Sequence, residues 1–277
     1  MDVKQLQITA CKIRQGIIEG VYCAKAGHPG GSLSAADILT YLYFVEMNLD
    51  ASHPQDNNRD RFVLSKGHGA PALYSALAYK GYFPVEELKT LRQIGSHLQG
   101  HPDMKRTFGV DMSSGSLGQG VSTACGMAKA AKMQGADYRV YTLLGDGEIQ
   151  EGQVWEAAMF AAHNQLDNIV FIIDNNDLQI DGSVKQVMSP YPIDEKFKAF
   201  GFEVICISAH DFSQMEAAFE KARQTKGKPT AIIASSIKGK DVSFMENNVS
   251  WHGVAPNQEQ YEMAMADLNK LLAELEG

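Results

Sequence analysis

Two neighbouring stretches of the chain determine the predicted fold: residues 138–148, Tyr-Arg-Val-Tyr-Thr-Leu-Leu-Gly-Asp-Gly-Glu, and residues 168–176, Asn-Ile-Val-Phe-Ile-Ile-Asp-Asn-Asn. Each is a short apolar run that ends in polar turn residues, which is typical of a buried strand. A helical pattern over residues 154–165 separates the two runs. A strand, a helix and a second strand in this order predict a parallel pair, because a crossover helix returns the chain to the end of the sheet where it started.

The same alternation of strands and helices continues in both directions. Apolar spacing predicts strands over residues 61–64, 138–144, 168–174, 202–207 and 230–235, and helices over residues 4–25, 35–47, 71–80, 154–165, 194–200, 213–225 and 257–275. Ser34 is expected to cap the second helix. Strands that alternate with helices predict an α/β fold, with a doubly wound, mainly parallel sheet and helices on both faces. No repeat, linker or low-complexity tract interrupts the chain, so residues 1–277 are predicted to form a single domain.

Composition excludes several classes of protein. The chain has 25 Lys and Arg against 33 Asp and Glu, a net charge of −8, whereas sequence-independent nucleic-acid binding needs many cations. No apolar run approaches the roughly 20 residues that span a bilayer, and the first residues lack a secretory signal pattern, so a cytoplasmic protein without membrane contact is expected. The four cysteines have no C-x-x-C spacing, which argues against a zinc site or a redox dithiol.

Asp146 and Asn176 follow the two central predicted strands. Because neighbouring strands lie about 4.8 Å apart, these two side chains are expected to lie close together. Carboxylate and carboxamide oxygens suit Mg²⁺ or Ca²⁺, and the main-chain carbonyl of Leu178 is a candidate third ligand, with water and ligand phosphate completing the shell. Either turn taken alone is equally typical of an ordinary loop. The pair at adjacent strand ends is what predicts a metal site.

A glycine-rich segment, Gly115-Ser116-Leu117-Gly118-Gln119-Gly120, precedes a helix rich in small residues. Free backbone N–H groups and the helix dipole at such a start favour an anion. The order G-x-x-G-x-G is not the dinucleotide fingerprint G-x-G-x-x-G, and no G-x-x-x-x-G-K-[ST] motif occurs, which excludes a P-loop NTPase. Two interpretations stay open: phosphate binding, and a helix start packed closely on the sheet.

Four of the eight histidines lie in loops punctuated by glycine or proline: His28, His68, His101 and His252. Loops on a rigid scaffold commonly carry catalytic groups, and imidazole titrates near neutral pH. These four are therefore candidates for proton transfer. For each of them alone, an ordinary loop histidine hydrogen-bonded to the backbone is the alternative.

Taken together, these segments resemble the thiamine-diphosphate-binding N-terminal part of transketolases, and more closely the N-terminal subunit of two-subunit transketolases. The matching segments follow the family's order over nearly the whole chain: Ala26-Gly27-His28-Pro29-Gly30-Gly31-Ser32, residues 60–68 (Asp-Arg-Phe-Val-Leu-Ser-Lys-Gly-His), Gly100-His101-Pro102, residues 115–120, Gly145-Asp146-Gly147 with Asn176, and Trp251-His252-Gly253.

The resemblance implies roles for individual residues. It implies that Mg²⁺, which Ca²⁺ can replace, is bound by Asp146, Asn176 and the carbonyl oxygen of Leu178. It implies catalytic roles for His28, His252 and His101, with His28 and His252 acting on the sugar hydroxyls and His101 lying near the diphosphate and the reacting carbon. It implies contact with thiamine diphosphate for a larger set: His68, His101, Gly115, Ser116, Leu117, Gly147, Glu151, Asn176 and His252.

The activity implied by the resemblance is that of a transferase in carbohydrate metabolism and the pentose phosphate pathway. A transketolase moves a two-carbon ketol unit from a ketose phosphate to an aldose phosphate through a thiamine diphosphate carbanion. In single-chain members a further domain supplies the glutamate that contacts the aminopyrimidine ring and most cations that hold the sugar phosphate. This sequence stops after its final helix, so activity is expected only with a C-terminal partner subunit, as a heterotetramer of two copies of each chain.

Two alternatives to this function stay open. One is another thiamine-diphosphate-dependent transferase, such as a deoxyxylulose-phosphate-synthase-like enzyme or an enzyme for a specialised sugar. The other is a non-catalytic cofactor-binding homologue.

Overall fold

The computed structural model describes all residues 1–277, and a five-stranded sheet lies at its centre. The strands are β1 (Arg61–Leu64), β2 (Val140–Gly145), β3 (Ile169–Asn175), β4 (Leu178–Gln179), β5 (Gly182–Ser183), β6 (Glu203–Ser208) and β7 (Thr230–Ser235). The central sheet has the order β1-β2-β3-β7-β6, and every pairing in it is parallel. β4 and β5 form a separate antiparallel hairpin. All five strands of the central sheet therefore point their carboxyl ends at one edge.

Helices account for most of the remaining chain. The α-helices are α1 (Val3–Ala24), α2 (Pro29–Tyr41), α3 (Ala70–Lys80), α4 (Gln119–Gln134), α5 (Gly152–His163), α6 (Val184–Val187), α7 (Ile193–Ala199), α8 (Phe212–Gln224) and α9 (Gln258–Glu276). A π-helical segment, Leu42–Glu46, continues α2. Short 3₁₀ turns occur at Gly67–Gly69, Val85–Thr90, Glu148–Gln150 and Val249–Trp251. None of the helices combines the length and apolar character needed to cross a membrane.

The two faces of the sheet pack against different helices. Tyr141 and Leu143 of β2 belong to a core of 47 buried residues that also contains the inner faces of α1, α2, α3, α8 and α9. Val140 and Leu144 belong to a second core of 21 buried residues with α4, α5 and α7. Strands buried on both faces read as continuous apolar runs, and the predicted doubly wound α/β fold is confirmed. Because both cores pack on one sheet, we retain the prediction that residues 1–277 form a single domain.

The start of α2 shows that the prediction for Ser34 was wrong. The helix begins at Pro29, with His28 in the N-cap position, and proline suits the first turn because its missing N–H would have no partner there. Ser34 lies inside the helix and its Oγ donates to Asp174 Oδ2 at 2.6 Å. The other predicted elements lie within about two residues of those observed. The shift in α2 places His28 and Gly31 at the start of a buried helix.

Candidate active site

The carboxyl ends of β2 and β3 bring the predicted metal-ligating residues together. The pairing of the two strands runs to Gly145 opposite Asp174, so Asp146 and Asn176 follow within two residues of the last pair. Asp146 is 2% exposed, and its two oxygens accept the N–H groups of Gly147 at 2.8 Å and Asp177 at 2.5 Å. The Asn176 Oδ1 accepts the N–H of Leu178 at 3.2 Å. The side chains of Asp146 and Asn176 and the nearby carbonyl of Leu178 thus bring three candidate oxygen ligands for a metal ion close together.

Electrostatics favour a cation at this position. Burial, together with the negative charge of Asp174, raises the pKa of Asp146 to about 7, and Asp146 has no salt-bridge partner. A divalent ion would supply the missing positive charge. No group of three or more His, Cys, Asp or Glu side chains is arranged to hold a metal, so an ion here would need an amide, a main-chain oxygen and ligand or water oxygens beside the single carboxylate.

Two buried lysines line the same cleft, and neither was predicted from the sequence. The Lys66 ammonium donates to the carbonyl of Gly31 at 2.8 Å and is paired with Asp174. The Lys238 ammonium donates to the carbonyl of Leu178 at 2.9 Å. Burial, with a contribution from Lys66, lowers the pKa of Lys238 to about 8. Lys66 lies inside a quoted motif, between Ser65 and Gly67, whereas nothing local marks Lys238.

Three of the four candidate histidines form a compact cluster. The ring centroids of His28 and His68 are 5.3 Å apart, those of His28 and His252 are 5.6 Å apart, and those of His68 and His252 are 5.4 Å apart. The Nδ1 of His252 lies 2.9 Å from the ammonium of Lys238. The Nδ1 of His28 is buried and has no hydrogen-bond partner. Residues 28, 68 and 252 are thus assembled from three distant parts of the chain.

All three clustered imidazoles are uncharged at neutral pH. Burial, with smaller effects of Arg92 and other cations, lowers the pKa of His28 to about 4. Burial and the nearby Lys238 lower the pKa of His252 to about 3. The pKa of His68 is also well below its usual value, because of burial and Lys66. Uncharged imidazoles can each accept one proton or hydrogen bond and donate another.

The Gly115–Leu117 segment borders the cleft just before α4, and the N–H groups of its three residues donate to no acceptor within the chain. Glu148 holds this segment in place: its Oε1 accepts the N–H of Gly118 at 2.9 Å and the hydroxyl of Ser65 at 2.5 Å. Its Oε2 accepts the N–H of Gly145 at 3.0 Å. Glu148 was not predicted, because in sequence it is one of several acidic residues after the strand.

The cleft has a volume of about 360 Å³, and most of the predicted site residues line it. These are His28, His68, Gly115, Leu117, Asp146, Gly147, Glu151, Asn176, Leu178 and His252. Two predicted residues do not line it. The Ser116 side chain is exposed, and His101 lies at the rim, where a Cβ built on Gly115 would be 3.5 Å from its ring. Burial and Arg92 lower the pKa of His101.

Comparison with known proteins gives this cleft a family context. Residues 5–269 match the sequence model of the transketolase family described as its thiamine diphosphate binding domain. The chain is 46% identical over 265 residues to a 6-deoxy-6-sulfo-D-fructose transketolase subunit of Clostridium sp. (strain MSTE9), covering 96% of both chains. It is 42% identical over 276 residues to one subunit of the apulose-4-phosphate transketolase of Phocaeicola vulgatus, covering 100% of this chain and 98% of that one.

Whole transketolases match over only part of their length. The human enzyme is 43% identical over 254 residues, which are 91% of this chain and 40% of that protein. The crystal structure of Campylobacter jejuni transketolase superposes with a TM-score of 0.90 at 34% identity, covering 99% of this chain and 47% of that one. The chain thus spans less than half of these enzymes and nearly all of the named subunits. On these similarities of sequence and fold, the chain belongs to the transketolase family.

Proposed function

We propose that this chain is the N-terminal subunit of a transketolase, which transfers a two-carbon ketol unit from a ketose phosphate to an aldose phosphate with thiamine diphosphate as cofactor. One observation carries the proposal: in a chain of this family, an oxygen-rich turn, two buried lysines and three uncharged histidines face the same cleft. A diphosphate cofactor requires cations near its phosphates, which one end of the cleft supplies. A sugar hydroxyl requires groups that can exchange a proton with it, which the uncharged histidines at the other end supply.

The residues present fit a diphosphate held through a divalent cation. Asp146, Asn176 and the Leu178 carbonyl are hard oxygen ligands, and Mg²⁺ commonly takes its remaining ligands from phosphate and water. Ca²⁺ is proposed as a substitute. The unpaired N–H groups of residues 115–117 offer hydrogen bonds to the cofactor, and close packing keeps this segment in place, because a Cβ on Gly67 would lie 2.8 Å from the Gly115 nitrogen. Gly147, Glu151, His68 and His101 are proposed as further contacts.

We assign opposite roles to two histidines of the cleft: His28 accepts from the sugar, and His252 donates to it. When bound, thiamine diphosphate supplies the thiazolium ring at which the carbon–carbon bond is cleaved and remade. The Lys238 ammonium donates to His252 Nδ1, so His252 carries its proton on Nε2 and acts as a donor. We assign His28 the acceptor role toward a sugar hydroxyl, because its uncharged ring lines the cleft. His101, at the rim, is placed to contact the part of the substrate that extends out of the cleft.

A partner chain is part of the proposal. Relatives that match along nearly their whole length are named subunits, which supports a divided enzyme. Ile180, which lines the cleft, is 68% exposed, and Val254, two residues after His252, is 55% exposed. Large apolar side chains at the mouth of a site favour cover by another protein. We propose that the partner supplies the glutamate for the aminopyrimidine ring and the cations for the sugar phosphate, in a heterotetramer of two copies of each chain.

A second candidate is a transketolase for a specialised sugar. Subunits that match along nearly their whole length are named for 6-deoxy-6-sulfo-D-fructose and apulose 4-phosphate, and this favours a donor outside the pentose phosphate pathway. Both names describe sugars with an anionic group. The pentose phosphate pathway and the cytoplasmic location stay predictions.

The test is a reconstituted transfer assay. This chain is mixed with a C-terminal transketolase subunit, Mg²⁺ and thiamine diphosphate, and the donors offered are xylulose 5-phosphate, 6-deoxy-6-sulfo-D-fructose, apulose 4-phosphate and pyruvate. Two-carbon transfer from xylulose 5-phosphate supports the first proposal, and transfer only from one of the next two supports the second. Consumption of pyruvate alone would instead indicate a synthase-like enzyme. Cofactor binding without transfer from any donor would indicate a non-catalytic homologue.

A further inference from the structure

A largely buried chain of hydrogen bonds outside the cleft, with His210 partly exposed, ends one residue away from the cleft. His210 lies between β6 and α8, and its Nδ1 is 2.6 Å from Asp37 Oδ2. Asp37 belongs to α2 and is paired with Arg14 of α1, whose side chain is 3% exposed. On the other side of the ring, His210 Nε2 accepts the backbone N–H of Ile237 at 2.9 Å. Helices α1 and α2 and the loop between β6 and α8 are thereby connected to the segment after β7.

The hydrogen bonds define which ring nitrogen carries the proton. A backbone N–H can only donate, so His210 Nε2 is an unprotonated acceptor, and Nδ1 carries the hydrogen that it donates to Asp37. Asp37 orients the imidazole, as a carboxylate commonly does for a histidine whose other nitrogen is occupied. His210 Nε2 is the only acceptor of the Ile237 N–H.

The residue after Ile237 makes this connection relevant to the cleft. It is Lys238, whose ammonium contacts the Leu178 carbonyl and His252 Nδ1, both at 2.9 Å. The helix that carries Asp37 also begins next to His28. The distance from His28 to Lys238 therefore depends on how the Ile237 segment is held against α2.

We propose that Asp37 and His210 are a positioning pair, which holds the Ile237–Lys238 segment against α2 and so sets the place of the Lys238 ammonium in the cleft. The pair touches neither cofactor nor substrate. Lys238 has other backbone anchors, since its carbonyl accepts the N–H of Asn247 at 2.9 Å and the N–H of Gly239 donates to Gly30 at 3.0 Å. Loss of the Ile237 hydrogen bond should therefore displace the ammonium locally and leave the fold intact.

Two substitutions separate the two nitrogens of the ring. In His210→Gln the side-chain amide reaches the position of Nε2 and can still accept from Ile237. In His210→Asn the amide reaches only the position of Nδ1, so it can donate to Asp37 but leaves the Ile237 N–H unpaired. Each variant keeps one of the two hydrogen bonds of the His210 ring. If His210 only stabilised the fold, both variants would therefore change the Kd to the same extent. His53→Asn is a matched control, because His53 also contacts an aspartate, Asp50, but its side chain is 76% exposed.

The measurement is the Kd for thiamine diphosphate with Mg²⁺, by calorimetry, of the chain assembled with a C-terminal transketolase subunit, beside the urea midpoint of unfolding of the chain. We expect a roughly five- to tenfold weaker Kd for His210→Asn, the size of one lost hydrogen bond, and a Kd within about twofold of wild type for His210→Gln and His53→Asn. Equal Kd values for His210→Asn and His210→Gln would overturn the proposal.

Interpretation of these Kd values rests on the proposed function, so a second readout is independent of it. If the wild-type chain assembled with the C-terminal subunit binds no thiamine diphosphate, the proposed cofactor site fails, and the positioning pair is judged from crystal structures of the two variants. A Lys238 ammonium displaced from the Leu178 carbonyl in His210→Asn, and retained in His210→Gln, supports the pair. An unmoved ammonium in His210→Asn overturns it.

Discussion

Replacing Glu148 with glutamine is expected to destabilise the chain and weaken its cofactor site together. The carboxylate is 2% exposed and accepts hydrogen bonds from Ser65, Gly118 and Gly145. Two of these donors are backbone N–H groups bound to different carboxylate oxygens. Glutamine has only one acceptor oxygen, so in either orientation its NH₂ group faces one N–H and leaves it unpaired.

The size of the effect can be worked from these contacts. One unpaired buried N–H costs about 1–3 kcal/mol. Burial raises the pKa of Glu148, so the charged form is disfavoured in the fold, and a neutral glutamine regains part of that cost. We therefore expect the free energy of unfolding to fall by about 1–2 kcal/mol. Because the Gly118 bond holds the end of the Gly115–Leu117 segment, the Kd for thiamine diphosphate should rise by roughly three- to tenfold.

Urea unfolding followed by tryptophan fluorescence, and calorimetric titration with thiamine diphosphate and Mg²⁺, measure the two effects. Glu274→Gln is the matched control, because Glu274 is exposed on α9 and should leave both values unchanged. A Glu148→Gln variant with the wild-type midpoint and the wild-type Kd would refute the role given to this carboxylate.

Three further outcomes are expected. Asp146→Ala should weaken Mg²⁺-dependent binding of thiamine diphosphate at least about tenfold, since it removes the only charged ligand; an unchanged affinity by calorimetry would remove Asp146 from the metal site. EDTA should release thiamine diphosphate from the chain and excess Ca²⁺ should restore binding, which equilibrium dialysis can follow; retention in EDTA would contradict a metal-bridged diphosphate. Although burial opposes it, Arg14 and His210 lower the pKa of Asp37 from 3.8 to about 2. Because this pKa is lower in the folded chain than in the unfolded chain, ionised Asp37 stabilises the fold above about pH 4, by about 2 kcal/mol, and this stability is lost as the pH falls toward about 2. The urea midpoints of wild type and Asp37→Asn should therefore converge across this pH range. A constant difference between the two midpoints would contradict the role of the ionised carboxylate.

The strands could be predicted from the sequence because parallel strands buried on both faces are continuous apolar runs that end in turns. Asp146 and Asn176 could be predicted for the same reason, since each directly follows such a run. The start of α2 could not, because Gly30 and Gly31 are poor helix formers and their place is decided by packing. A Cβ on Gly30 would lie 2.9 Å from the Trp251 carbonyl.

Side chains whose role depends on partners far away in the sequence could not be predicted from it. Lys66 and Lys238 read as ordinary lysines, and only the fold shows that both are buried, Lys66 against Asp174. His210 was not among the residues predicted from the sequence, because its partners Asp37 and Ile237 lie far from it along the chain. Local patterns thus located the residues at strand ends but not the buried contacts made between layers.

The strand order has a consequence for how the protein is made. β7, the last strand in sequence, lies between β3 and β6, so the sheet stays open until residue 235 has been synthesised. The cleft needs residues from His28 to His252, which span nearly the whole chain. During synthesis, the sheet is therefore incomplete and the cofactor cleft has not yet formed, so bound cofactor cannot stabilise the partly made chain. Such non-local assembly is slow and exposes apolar surface, because the facing edges of β3 and β6 have no partner until β7 has been made.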